Sequence, residues 1–172
     1  MRRPRFLSAL RQRDDGVSAI EFAIIAPAIA LLLLGVIDLA NGLWQQMQVS
    51  SAAQAGAFYA SVQGVNGTPS GIKSAVTNAT ALTVTPTLSS SSSPSCQSAT
   101  PSSIPAAEWC GCPNTTSGVT SATCGSACSD GSTAGHYVTV CAQAPFSAIG
   151  PAIPGVTLPT KLSAQSYARI YP

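Results

Sequence analysis

The sequence predicts an α+β protein: a long N-terminal membrane-spanning helix that continues into a stem, then a small antiparallel sheet with disulfide-stapled loops. Three observations predict it. From Val17 to Ile37 the chain runs 21 residues with only Ser18 and Glu21 polar. From Gln45 to Gln63 there is no proline and a single glycine, Gly56. All six cysteines (Cys96, Cys110, Cys112, Cys124, Cys128 and Cys141) lie beyond both segments.

The apolar run has the length of a bilayer. At about 1.5 Å per helical residue it covers roughly 32 Å, against a hydrocarbon core of ~30 Å. Charge is sparse, 8% of the chain, and segregated. Residues 1–15 hold five Arg (Arg2, Arg3, Arg5, Arg11, Arg13) and two Asp. No Lys or Arg follows until Lys73. Basic residues gather on the cytoplasmic side of membrane segments, which predicts an N-terminus inside and residues after about 45 outside. The basic cluster is short, has Phe6 as its one aromatic and directly precedes the apolar run, so nucleic acid is not an expected partner. A cleaved secretory signal is the rival. Its apolar core is usually shorter and ends at a small-residue cleavage site; here Ala53-Gln54-Ala55 lies well past the run.

Glu21 asks for an explanation, since a charge inside a span costs about 2.5–3.5 kcal/mol at its centre and less near an end. The plain reading is that it reaches the cytoplasmic headgroups beside Arg11 and Arg13. The sharper one is a cut after Gly16, which gives Val17 an α-ammonium. Glu21 can then neutralise that charge, on a neighbouring subunit or across one helical turn.

The words DDG/VSAIEF resemble the processing site of type IV prepilin-like proteins, with Gly16 before the cut, Val17 after it, Glu21 at the fifth mature position and Phe22 next. The segments LLLLGVIDLANGLW and VSSAAQAGAFYAS, with the closing HYVTVCAQAPFSAI and LPTKLSAQSYARI, are similar to TadE-like pilus-assembly proteins of the Tad (Flp) branch. The resemblance implies a pilin-like fold, removal of residues 1–16 by a prepilin peptidase and service as a minor pseudopilin in Tad/Flp pilus assembly. It implies as partners other minor pseudopilins, the major Flp pilin, inner-membrane platform proteins and the lipid bilayer. It places the protein in the bacterial inner membrane with a periplasmic C-terminus, or in an extracellular pilus. The family's stem often bears a basic residue after the acidic one; here Asp38 is followed by none, so no salt bridge is expected there.

The organisation that follows is a cytoplasmic basic leader at 1–16, a transmembrane helix at 17–44, a stem at 45–63 and an exported domain at 64–172 with a Cys-rich insertion at 89–135. Pro27 lacks an N–H and predicts a kink. Asp38 reads as a solvated anchor or as a contact with another subunit's stem. Ala52, Gly56 and Ala60 recur every four residues and make a thin seam that lets helices approach closely. The helix it meets belongs either to the chain's own domain or to a second subunit. Phe58, Tyr59 and Val62 are expected to cover the domain side. Gly64 to Gly71 breaks the helix. A short helix over 72–82 follows, capped by Ser70, and then a strand that ends at Pro86. The strand HYVTVCAQA and the 82–88 segment are expected to form the edges of a small antiparallel sheet packed on the stem, with Val138, Val140 and Ala142 on one face of the first and Tyr137, Thr139 and Cys141 on the other.

Six cysteines in an oxidising compartment predict three disulfides, with 15 pairings open. Cys110 and Cys112 are expected to have different partners. Zinc is the rival, on knuckle-like spacing, but no metal and no other cofactor is expected. The one histidine, His136, reads as a surface or strand-end residue. No nucleophile elbow, phosphate loop or metal-binding helix motif occurs, so no enzyme activity is expected. Two other functions stay open: a binding (adhesion) module at a pilus tip or cell surface, with the Cys-rich loop as its contact, and an uncleaved membrane-anchored structural protein.

Overall fold

The computed structural model describes residues 15–92, 96, 103, 107–114, 118–150 and 159–171. The leader over 1–14 and parts of the Cys-rich insertion lie outside them.

Helix α1 runs unbroken over Asp15–Gln63, 49 residues, through Pro27, or about 74 Å. Its first half is apolar on every side and none of it is buried, as a helix surrounded by lipid requires. Its last four turns behave differently. Val49, Ala52, Ala53, Gly56, Ala57 and Ala60 are buried and form one face of the hydrophobic core. Gly64, with φ +55, ends the helix in a left-handed conformation that costs glycine little. A short 3-10 turn, Gly64–Asn66, then leads to helix α2, Pro69–Asn78.

Helix α2 starts earlier than the sequence suggests. Pro69 takes the first helical position and Thr68, not Ser70, is the cap: its hydroxyl oxygen accepts from the Gly71 N–H at 3.1 Å. Proline is favoured there because its fixed φ suits the helix and its missing N–H would have had no partner.

Among the described residues five strands make one antiparallel sheet: β1 Thr85–Ser89, β2 Glu108–Asn114, β3 Gly118–Ser121, β4 Gly135–Pro145 and β5 Lys161–Tyr171. The strand expected at an edge is the centre. β4 pairs along one side with β1 and then β2, and along the other with β5 from His136 to Pro145. The reason lies in the closing segment, whose Leu162, Ala164, Ala168 and Ile170 bring a second apolar row against the stem. Pro86 does not end β1; it pairs with Ala142 inside the ladder. Among the described residues β1 has β4 as its one neighbour, and an edge tolerates a residue with no N–H to give.

Both faces of β4 are covered. Val138, Val140 and Ala142 meet the stem, with Ile72 and Val76 of α2 and Leu88 of β1 in the same cluster. On the opposite face the Trp109 indole N–H donates to Thr139 Oγ1 at 3.0 Å. The Trp109 ring lies 5.6 Å from that of Tyr137 and 5.9 Å, edge-on, from that of Tyr167.

Candidate functional site

The features that point to function lie along α1 and in the Cys-rich segment. At the start of α1 the backbone of Gly16 and Val17 is helical. Glu21 is exposed and Phe22 is 70% exposed, so the carboxylate and the ring after it are both open to whatever surrounds the span.

The seam of Ala52, Gly56 and Ala60 meets the chain's own domain. A Cβ on Gly56 would stand 2.4 Å from Val76 Cγ2 and 2.9 Å from Val140 Cγ1. The absence of that carbon is what lets the stem lie on β4 and α2 together. Tyr59 packs against the core. Phe58 and Val62, expected on the domain side, instead point away at 71% and 64% exposure. The small residues settle which side of the helix comes closest to the sheet, and the bulky ones turn outward because that approach leaves them no room. Polar side chains fasten the same junction: Gln46 Nε2 donates to the Ser163 carbonyl at 3.0 Å, and Thr80 donates to Gln48 Oε1 at 3.0 Å.

Asp38 is neither simply solvated nor waiting for another subunit. Its Oδ1 accepts the Ile149 N–H at 2.7 Å and its Oδ2 the Gly150 N–H at 3.0 Å. The loop after β4 thus returns to the top of the apolar run, a contact across 111 residues of chain that no local pattern signals.

The cysteines form three disulfides: Cys96–Cys141, Cys110–Cys124 and Cys112–Cys128. Successive even positions of a strand share a face, so Cys110 and Cys112 of β2 present both sulfurs to the segment 122–134, and each takes a different partner. Cys141 lies on the outer face of β4 and holds Cys96 against it. His136 stands opposite Cys110 in the β2–β4 register. Its Nδ1 contacts the Glu108 carboxylate and lies 3.7 Å from Cys110 Sγ. Ligand atoms of Cys110, Cys124 and His136 fall within 4.8 Å of one another, yet both sulfurs are spent in one disulfide and offer no thiolate to a metal.

Beside this knot, Asp130 closes a small turn. Its Oδ1 accepts from the Ser132 hydroxyl at 2.7 Å and from the Ser132 N–H at 3.0 Å. These two bonds, the hydroxyl's first, hold its pKa below the ordinary 3.8. A depressed carboxylate stabilises the turn above that ordinary value, and the contribution disappears as pH falls through the lowered one. Hydrogen exchange at the Ser132 amide is therefore expected to be unchanged from neutral pH down to about 4, then to lose protection on further acidification, allowing for intrinsic rates. Retained protection in strong acid would contradict the assignment. A solvent-facing hollow of about 460 Å³ lies next to this turn, lined by Cys112, Pro113, Asn114, Thr120, Ser129 and Asp130.

Sequence reasoning had no signal for Trp109 and Tyr167, which join Tyr137 on the outer face, because three aromatics far apart in the chain carry no spacing pattern. No curated protein and no solved structure matches the chain. Residues 16–57 match the family model described as TadE-like protein, so the chain is similar to that family over the stretch from Gly16 to the buried small residues of the stem.

Proposed function

We propose that the chain is a minor pseudopilin that takes part in assembling a Tad/Flp-type pilus. A prepilin peptidase would process it after Gly16, and it would sit in the bacterial inner membrane with residues 1–16 cytoplasmic and the sheet domain periplasmic. One observation carries the reading: the TadE-like match begins at Gly16, where Gly16, Val17 and Glu21 lie at the start of a helix whose apolar first half is unburied. The role is structural, and its partners are the sister pseudopilins, the major Flp pilin and the membrane platform.

The physical basis is charge neutralisation in an apolar setting. Cleavage turns Val17 into an α-ammonium one helical turn before Glu21. Each charge alone is costly near lipid, and the pair costs less than its parts. A subunit whose carboxylate meets a neighbour's new amine gains the same relief, which favours entry into an assembly. The exposed Phe58 and Val62 give a sister stem an apolar surface, since Ala52, Gly56 and Ala60 are already used within the chain.

Glu21→Gln keeps the shape and removes the charge. It is expected to leave protein level and membrane insertion as in the wild type while recruitment into pilus complexes falls by about tenfold or more, as expected for loss of an ion pair of ~1.4 kcal/mol or greater. Co-purification with the major pilin and counts of surface pili measure it. Unchanged recruitment and pilus number would remove the electrostatic basis of the proposal.

A further inference from the structure

Asp38 stands one residue beyond the apolar run that ends at Ile37. The loop it holds reaches back below that level. A Cβ on Gly150 would lie 3.9 Å from Leu34 Cβ, and Leu34 is three residues inside the run, about 4–5 Å deeper along the helix. The same loop is braced higher up, where the Phe146 ring sits 3.5 Å from the place a Gly42 Cβ would take. Ile149, beside Gly150, is 68% exposed.

Three features fit Ile149 and Gly150 to lipid rather than to water or protein. They are continuous with the unburied surface of the span. Between Asp130 and Lys161 the chain has no Asp, Glu, Lys or Arg, so the loop brings no charge of its own to strip of water, and the one carboxylate beside it, Asp38, is bonded to two N–H groups. Irregular backbone near hydrocarbon needs its N–H groups satisfied, and Asp38 takes the N–H of both Ile149 and Gly150.

We propose that the segment 146–150 after β4 is a second membrane contact, with Ile149 entering the boundary between headgroups and acyl chains and Asp38 acting as its positioning residue. Two points of attachment, the span and this foot, fix how the sheet domain leans over the bilayer. A single helix would leave it free to swivel. The proposal rests on reading α1 as a membrane span, and its test separates the two.

The full chain, with its disulfides intact, carries a nitroxide on Ile149→Cys, Val36→Cys or Thr123→Cys in turn, in vesicles of phosphatidylcholine and phosphatidylglycerol. Collision with oxygen, which concentrates in lipid, is compared with collision with a water-soluble nickel chelate. Positions 36 and 149 are expected to favour oxygen and position 123 to favour nickel. Adding Asp38→Ala is expected to shift position 149, and not 36, toward nickel. Nickel-favoured collision at 149 with oxygen-favoured collision at 36 would overturn the membrane foot and leave the span standing. Nickel-favoured collision at 36 would overturn both. A label at 149 that stays in lipid after Asp38→Ala would overturn the part assigned to Asp38.

Discussion

Gly56→Ala is expected to destabilise the sheet domain by about 1–3 kcal/mol, the usual cost of overpacking a filled core. Alanine is otherwise the better helix former by up to ~1 kcal/mol, so propensity alone predicts the opposite sign. Sterics win because the added carbon would stand 2.4 Å and 2.9 Å from side-chain methyls of Val76 and Val140. Neither neighbour can retreat easily: both are fully buried, one on α2 and one on the central strand. Urea unfolding followed by Trp109 fluorescence checks the sign, with Trp44→Phe as background so that the exposed helix tryptophan does not report. The same change at Gly35, where nothing lies within 4 Å, is expected to leave the midpoint unmoved. A stabilised Gly56→Ala protein would mean that the stem does not lie against β4 as described.

Removing the Cys96–Cys141 bridge by Cys96→Ser with Cys141→Ala is expected to cost about 2–5 kcal/mol, a large share of the ~5–15 kcal/mol by which domains are stable. This bridge closes the longest of the three loops, 45 residues against 14 and 16, so it restrains the unfolded chain most. It also holds residue 96 over the outer face of β4, where the Gln143 side chain donates to the Cys96 carbonyl at 2.9 Å. The denaturation midpoint of the double variant against the oxidised parent measures the effect. An equal midpoint would show that the bridge is incidental to the sheet.

The sequence made the long helix readable because its evidence is local: an apolar run, no breaker cluster between Pro27 and Gly64 and a repeat of small residues. The strand at 135–145 was readable for the same reason, by its alternation. Its central place was not, because LSAQSYARI has serine, glutamine and arginine among its inward alanines and isoleucine, and reads as a weak strand until a partner is known. The orientation of the stem was half readable. Ala52, Gly56 and Ala60 announced close packing, but the assumption that Phe58 and Val62 share their side fails because a helix pressed onto a sheet through small residues must turn large ones outward. Asp38 lay beyond reach altogether, since its partners are backbone groups of a loop more than a hundred residues away. The pairing of the cysteines needed the path of residues 122–134 beside β2 and the place of residue 96 on β4, which composition does not supply.

Every functional claim depends on where the mature chain starts and on which side of the membrane its domain folds. Intact-mass spectrometry of the non-reduced protein, extracted from the membranes of cells that contain a prepilin peptidase, addresses both at once. The account predicts a single species that begins at Val17 and carries all six cysteines oxidised, two hydrogens lighter for each of the three bridges. A chain that still begins at Met1, or one that begins after Ala55, would contradict the processing at Gly16, and free thiols would contradict a domain exposed to an oxidising compartment.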